Sequence, residues 1–231
     1  MESKQFQEMQ ERSEKICLQV EAALEKSGRN PSDLLILPAS KKQTAETLEM
    51  AMELGFQAFG ENRVQEAKEK IHLLPSHLRW DLIGSLQTNK ARDAVEYFEF
   101  IHSVDRDSLV LELEKRASNK GKDQKILIEV NVAGEASKHG VAVEDLLPLS
   151  ELTAQQSHLE VHGLMGMAPH VDEPEKARPY FVRLRELRDD LETQMGWRLP
   201  ELSMGMSNDY PIAIEEGSTM VRIGTSLFGA R

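Results

Sequence analysis

Short apolar runs alternate with amphipathic stretches eight times along this chain, and that rhythm limits the folds open to it. Strand-like segments are read at Leu34–Ser40, Phe56–Gly60, Trp80–Gly84, Phe98–Val104, Ile126–Val132, Leu159–Met165, Glu201–Met204 and Met220–Ile223. Helical patterns fall between them, at Thr44–Leu54, Arg63–Leu73, Lys90–Tyr97, Ser108–Asn119, Val143–Gln155, Glu173–Thr193 and Pro211–Glu215. An amphipathic helix over residues 3–27 precedes the first strand, with Phe6, Met9, Ile16, Val20, Ala23 and Leu24 near one face. Strands that alternate with helices make a parallel sheet, because each crossover must return the chain to the same edge. Eight such units predict a closed (β/α)8 barrel of the TIM type. An open doubly wound sheet is the alternative. The G-x-G-x-x-G turn of dinucleotide-binding sheets is absent, and Lys41-Lys42-Gln43 stands in its place. No linker or low-complexity segment divides the chain, so residues 1–231 are read as one domain.

Charge and cysteine content narrow the function. A formal net charge of −11 argues against a nucleic-acid partner, which requires a basic face. Cys17 is the only cysteine, so neither an internal disulfide nor a cysteine zinc cluster can form. The polar N-terminus lacks a signal-peptide core, and no apolar run is long enough for a bilayer. These features predict a cytoplasmic protein that does not enter membranes, and no apolar helix stripe is left over to make it other than a monomer. The seven histidines fall at unrelated spacings, which reads as surface and packing residues. A metal site and a nucleophilic triad are not expected.

In a barrel, the residues just after each strand converge on one face. Here they are Lys41, Asn62, Gly84, Asn131, Met165–Met167, Gly205–Asp209 and Gly224–Ser226. Lys41 ends an apolar strand. Alternation places it on the face of Leu37 and Ala39 and sends Lys42 the other way. Such a lysine is either one of two solvated charges at a strand end or a pocket amine able to form a Schiff base with an aldehyde. The last two strand ends read as a phosphate cup. Gly205 lets the backbone come close, Ser207, Asn208 or Asp209 can cap the helix entered at Pro211, and Gly224-Thr225-Ser226 offers N–H groups and hydroxyls. Two ordinary glycine turns would leave the same pattern. Arg222 lies inside the apolar strand Met220–Ile223, where a guanidinium needs acceptors. These are either a carboxylate across the barrel, such as Asp81 or Glu129, or the atoms of a bound heterocycle.

Taken in order, Ala39-Ser40-Lys41, Phe59-Gly60-Glu61-Asn62, Ile83–Lys90, Gly163-Leu164-Met165, Leu202–Asp209 and Gly217–Thr225 resemble the pyridoxal phosphate (PLP) homeostasis family, also known as the proline synthase co-transcribed family. The resemblance runs from about residue 34 to the C-terminus. It implies a (β/α)8 barrel similar to the N-terminal domain of alanine racemase, with PLP as cofactor. It implies that Lys41 carries PLP as a Schiff base, that Arg222 faces the pyridine nitrogen, and that Ser207, Gly224 and Thr225 hold the phosphate. It further implies that Asn62 lines the cofactor pocket and that Lys138 takes part in cofactor handling. The implied function is intracellular PLP homeostasis, as a carrier or buffer without robust catalysis, with PLP-dependent apoenzymes as recipients. Racemases of this fold add a second domain bearing a tyrosine acid, and the seven residues after Gly224 leave no room for one. Of the three tyrosines, only Tyr210 lies near the expected face.

An amino-acid racemase is the alternative function, and a phosphate-binding barrel with Lys41 as a general base is a third. Two departures from the family pattern stand out. Asp81 follows Trp80 where the family has histidine, and Pro38-Ala39 replaces branched residues. An Asp81 turned into the barrel would need a cation there; turned outward, it would need another partner.

Overall fold

A computed structural model describes residues 4–135 and 139–229. Lys138 and the two ends of the 1–231 domain lie outside the described residues. The strands are β1 (Leu35–Pro38), β2 (Ala58–Glu61), β3 (Arg79–Leu82), β4 (Phe100–Val104), β5 (Gln124–Val130), β6 (Leu159–Gly166), β7 (Glu201–Met206) and β8 (Met220–Ile223). They form one eight-stranded sheet in the order β1-β8-β7-β6-β5-β4-β3-β2, and every pairing is parallel. The helices α1 (Lys4–Ser27), α2 (Ala45–Glu53), α3 (Val64–Ile71), α4 (Ala91–Tyr97), α5 (Asp107–Lys120), α6 (Leu146–Ala154), α7 (Arg178–Met195) and α8 (Tyr210–Glu215) match the expected pattern. One short helix, α9 (Thr225–Phe228), occupies what the sequence reads as a turn. It starts immediately after Gly224, so the C-terminal end of β8 runs straight into a helix N-terminus.

The barrel closes where β1 meets β2, and it closes at one end only. The seam is an isolated parallel bridge between Ala39 and Gly60, with the Ser40 N–H donating to the Gly60 carbonyl at 2.9 Å. Gly60 keeps the seam close, since a Cβ there would lie 2.9 Å from Ile83 Cδ1 and 3.1 Å from Leu37 Cδ2 and would make those side-chain ends shift. The closing contact thus sits two residues before Lys41.

Two apolar layers hold the structure. The larger lies between sheet and helices and includes Phe59, Trp80, Leu82, Ile101, Ile128, Leu164, Leu202, Val221 and Ile223. Removing each large side chain of this kind from water contributes about 1.5–3 kcal/mol. The smaller fills the lumen with Phe100, Leu127, Met165 and Met220, flanked by Leu35 and Met167. Above and beside that lumen cluster the side chains are polar, a break in the usual barrel filling. Helix α1 packs its buried face (Met9, Ile16, Val20, Ala23, Leu24) toward α8 and α9. Arg12 Nε donates to the Leu227 carbonyl at 2.7 Å, and Lys26 pairs with Glu215 at 2.8 Å.

Candidate functional site

Lys41 does not lie in a strand. Strand β1 ends at Pro38, and Lys41 and Lys42 form a turn. Lys42 takes φ = 60°, the left-handed region that L-residues with a side chain avoid. Its N–H donates to Glu66 Oε2 at 3.0 Å, which holds the turn. The two lysines are therefore separated by a turn rather than by strand alternation alone. Lys41 is half-buried and Lys42 exposed. Behind them Glu61, wholly buried, forms an ion pair with the nearly buried Lys70. Lys70 Nζ also donates to the Ser40 carbonyl at 2.8 Å, and Ser40 Oγ donates to Glu61 Oε1 at 2.7 Å. The Asn62 N–H reaches Glu61 Oε2 at 3.2 Å. One buried carboxylate thus fixes the residue before Lys41 and the start of Asn62. The sequence reading missed this pair; its signal is a lysine on the inner face of α3, nine residues after a glutamate in an apolar strand.

Asn62 lies just past β2 and lines a cavity of about 890 Å³ at the C-terminal mouth of the barrel. The same cavity is bordered by Gly84, Arg63, Lys90, Arg106 and His139. No carboxylate is among its lining residues, although Arg106 pairs with Asp105 at 2.6 Å and Arg63 with Glu66 at 4.0 Å. Gly84 must be glycine, since a Cβ there would sit 2.3 Å from the Asn62 carbonyl oxygen. Just past β5, Asn131 Nδ2 donates to the Glu135 carbonyl at 2.9 Å, while its buried Oδ1 has no partner among the described residues.

The other half of the mouth brings together Ser207, Gly224, Thr225 and Ser226. Ser207 Oγ accepts from the Gly224 N–H at 3.3 Å and from the Ser226 N–H at 3.2 Å. Ser226 Oγ donates back to the Ser207 carbonyl at 3.2 Å. Two backbone donors at the start of α9 therefore converge on one oxygen, and Thr225 stands exposed between them. Asp209 caps the preceding turn by accepting from the Met206 N–H at 2.6 Å. Burial raises its pKa, against the pull of that N–H and of Arg222.

Arg222 is buried in the lumen at the C-terminal half of β8. Its NH1 donates to the Ser203 carbonyl at 2.7 Å and to Ser203 Oγ at 2.6 Å, and its NH2 donates to the Gly166 carbonyl at 3.0 Å. A guanidinium carries five N–H groups. Two of them have no acceptor among the described residues. Burial pushes its pKa down to about 10, with Glu129 and Asp209 pulling the other way, so it stays charged at neutral pH. The carboxylate partner considered from the sequence is not Asp81. That side chain points into the barrel but pairs with Arg79, which donates from Nε at 2.9 Å and from NH2 at 2.7 Å. Asp81 Oδ2 also meets His102 Nε2 at 3.1 Å. Glu129 stands near Arg222, and burial together with Asp105 pushes its pKa up to about 7. Tyr210, the tyrosine expected near this face, spends its hydroxyl on Gln19 of α1, and burial raises its pKa to about 12.

Comparison with known proteins identifies the family and its fold. The alanine racemase N-terminal domain family matches residues 38–231. The pyridoxal phosphate homeostasis protein of Aquifex aeolicus is 45% identical over 96% of this chain and 97% of its own length. The chain belongs to the pyridoxal phosphate homeostasis protein family. A homologue of that name from Vibrio alginolyticus is 38% identical over 96% of this chain and 97% of its own. Among solved structures, PipY of Synechococcus elongatus with PLP bound superposes with a TM-score of 0.83 and 35% identity, covering 96% of this chain and 100% of that one. The (β/α)8 barrel expected from the strand–helix rhythm is thus the fold of this family. Among the described residues no helix is long and apolar enough to cross a membrane, and no cluster of metal-ligating side chains occurs.

Proposed function

We propose that this protein binds PLP at the C-terminal mouth of its barrel and acts in PLP homeostasis, holding and handing on the cofactor without robust turnover. The observation that carries this reading is Arg222. A charged side chain only 4% exposed keeps two N–H groups that no protein acceptor takes, and one of them can meet a ligand acceptor. The ring nitrogen of PLP is such an acceptor. The Gly224 and Ser226 N–H groups donate to Ser207 Oγ, and a phosphate entering beside Thr225 would take them over as its donors. The orphaned Asn131 Oδ1 and the half-buried Lys41 supply polar atoms on the aldehyde side.

Bound PLP supplies an aldehyde that condenses with amines and a ring that withdraws electrons. In this reading the chain's own residues do four things. Lys41 provides the amine, held by the Ser40–Glu61–Lys70 clamp behind it. Ser207, Gly224 and Thr225 hold the phosphate. Arg222 donates to the ring nitrogen, which stays unprotonated because arginine does not give up its proton. Asn62 borders the open mouth through which an amine or a recipient protein approaches. An unprotonated ring is a weak electron sink, and Tyr210 is tied to α1, so neither favours racemisation.

PLP-dependent apoenzymes are the proposed recipients. The protein is placed in the cytoplasm as a monomer: its lone Cys17 has no internal partner, and its exposed large apolar residues, Leu18, Leu73 and Leu111, are scattered. The test is a transfer experiment. Protein loaded with PLP should restore activity to a PLP-free apoenzyme, and should introduce deuterium at Cα of L-alanine in deuterated water far more slowly than about 1 per second, a typical enzymatic rate. Failure to take up PLP would overturn the reading, and label uptake at enzymatic rates would make the protein a racemase.

A further inference from the structure

A chain of hydrogen bonds crosses the lumen from Arg79 to Arg222, and elementary donor–acceptor rules fix the direction of every link. Arg222 NH1 can only donate, so Ser203 Oγ accepts from it at 2.6 Å. The Ser203 hydroxyl hydrogen is then available to His102 Nδ1 at 3.0 Å. Asp81 can only accept as a carboxylate, so His102 Nε2 must carry a hydrogen and donate to it at 3.1 Å. Arg79 donates to the same carboxylate from the other side. All arrows converge on Asp81, and the only arrangement that satisfies each group has a neutral His102 with its hydrogen on Nε2.

The surroundings support that form. Asp81, His102 and Ser203 are each withdrawn from water, and His102 stacks edge-on to Phe100. Burial lowers the His102 pKa and outweighs the attraction of Asp81, with Arg222 and Arg79 adding to the effect. Burial alone would raise Asp81, but the hydrogen bonds from His102 and Arg79 bring its pKa below the ordinary value. Were His102 to gain a second hydrogen, Nδ1 and Arg222 would both donate to Ser203 Oγ. The serine's own hydrogen would then lose its place in the chain.

We propose that Asp81, His102 and Ser203 are positioning residues for Arg222: they pin its NH1 edge to β7 and so leave one of its two remaining N–H groups for the single lone pair of the cofactor's ring nitrogen. The functional half of this inference rests on the PLP reading above; the hydrogen-bond polarity does not. Asp81, which departs from the family histidine, is then the acceptor that sets the polarity of the whole line. Arg79 borders a second cavity of about 530 Å³ at the opposite mouth, so the line begins at that end and runs inward to Arg222.

The experiment has two arms. In the protein without cofactor, nitrogen-15 NMR of histidine side chains reads the tautomer of His102, with His102→Phe identifying its signals. A hydrogen on Nε2 and a bare Nδ1 at neutral pH are expected; a hydrogen on Nδ1, or on both nitrogens, would overturn the inference. In the second arm, PLP and its analogue with the ring nitrogen replaced by CH are titrated into wild type and Ser203→Ala. Folding of the variant is checked by its unfolding curve, and His102→Phe serves as the second variant should the first not fold. PLP should bind about tenfold more weakly to the variant, the loss of one hydrogen bond to a charged group. The analogue should bind both proteins equally. Equal loss for both ligands would make Ser203 a packing residue and overturn the inference. If wild type binds neither ligand, the PLP reading falls, and with it the positioning role toward the ring, whatever tautomer the first arm reports.

Discussion

Lys70 reaches from α3 to the turn that carries Lys41 and pairs with the wholly buried Glu61. The pair also ties the Ser40 carbonyl and hydroxyl to the end of β2. Removing one member of a buried pair strands the other charge, which costs about 3–5 kcal/mol. Lys70→Met should therefore destabilise the fold by about that amount in urea unfolding. Glu61→Gln combined with Lys70→Met should recover much of the loss. A Lys70→Met protein as stable as wild type would show that the pair is not what secures this corner.

Lys42 should tolerate glycine better than any branched residue. Its φ of 60° is paid for by the turn after Lys41, and glycine adopts it without penalty. Lys42→Gly should leave stability unchanged or raise it by up to about 1 kcal/mol, whereas Lys42→Val should lower it by about 1–2 kcal/mol. Thermal unfolding of the two variants makes the comparison. The N–H bond to Glu66 is a backbone bond and survives both changes.

The same turn shows what the sequence could and could not reveal. The eight strands were legible because each is an apolar run bounded by an amphipathic stretch, and each of the expected runs contains or overlaps an observed strand. The ends were less so. Local hydrophobicity carries Leu34–Ser40 as one strand, but pairing stops at Pro38 apart from the Ala39 bridge, and the chain turns at Lys41 and Lys42. The residues gathered after β7 and β8 were readable from glycine and hydroxyl content. The line from Asp81 to Arg222 was not. His102 reads as an ordinary packing histidine, and its partners stand 21 and 101 residues away. Only the barrel's closure brings these distant residues together.

Glu129 gives stability a pH dependence of defined sign. Its carboxyl titrates near 7 in the folded protein, raised by burial and by Asp105, and near its ordinary value when unfolded. The folded state therefore holds the extra proton between those two values. Stability should fall as pH rises from about 4.5 through about 7. Glu129→Gln should flatten that slope, with a difference from wild type approaching 3 kcal/mol at the upper end. Urea unfolding of both proteins at several pH values checks it. A parallel slope in the variant would assign the dependence to other groups.

The phosphate cup makes a prediction about ligands. Ser207→Ala with Thr225→Val should weaken PLP binding, each lost bond to a charged phosphate costing about 1.5–3 kcal/mol. Pyridoxal, which lacks the phosphate, should bind the double variant nearly as well as wild type. Because Ser207 Oγ also accepts from Gly224 and Ser226, an unfolding curve should accompany the titration. Equal losses for both ligands would assign the two hydroxyls to structure.

The central claim is that Lys41 is the amine that holds PLP. Its most direct test is to add PLP to the purified protein, reduce with borohydride, digest, and locate the added pyridoxyl mass by peptide mass spectrometry. The account predicts a visible absorption band that reduction bleaches, with the label on Lys41 and none on the adjacent Lys42, and colourless protein from Lys41→Ala. A label on another lysine, or a Lys41→Ala protein that still turns yellow, would contradict it.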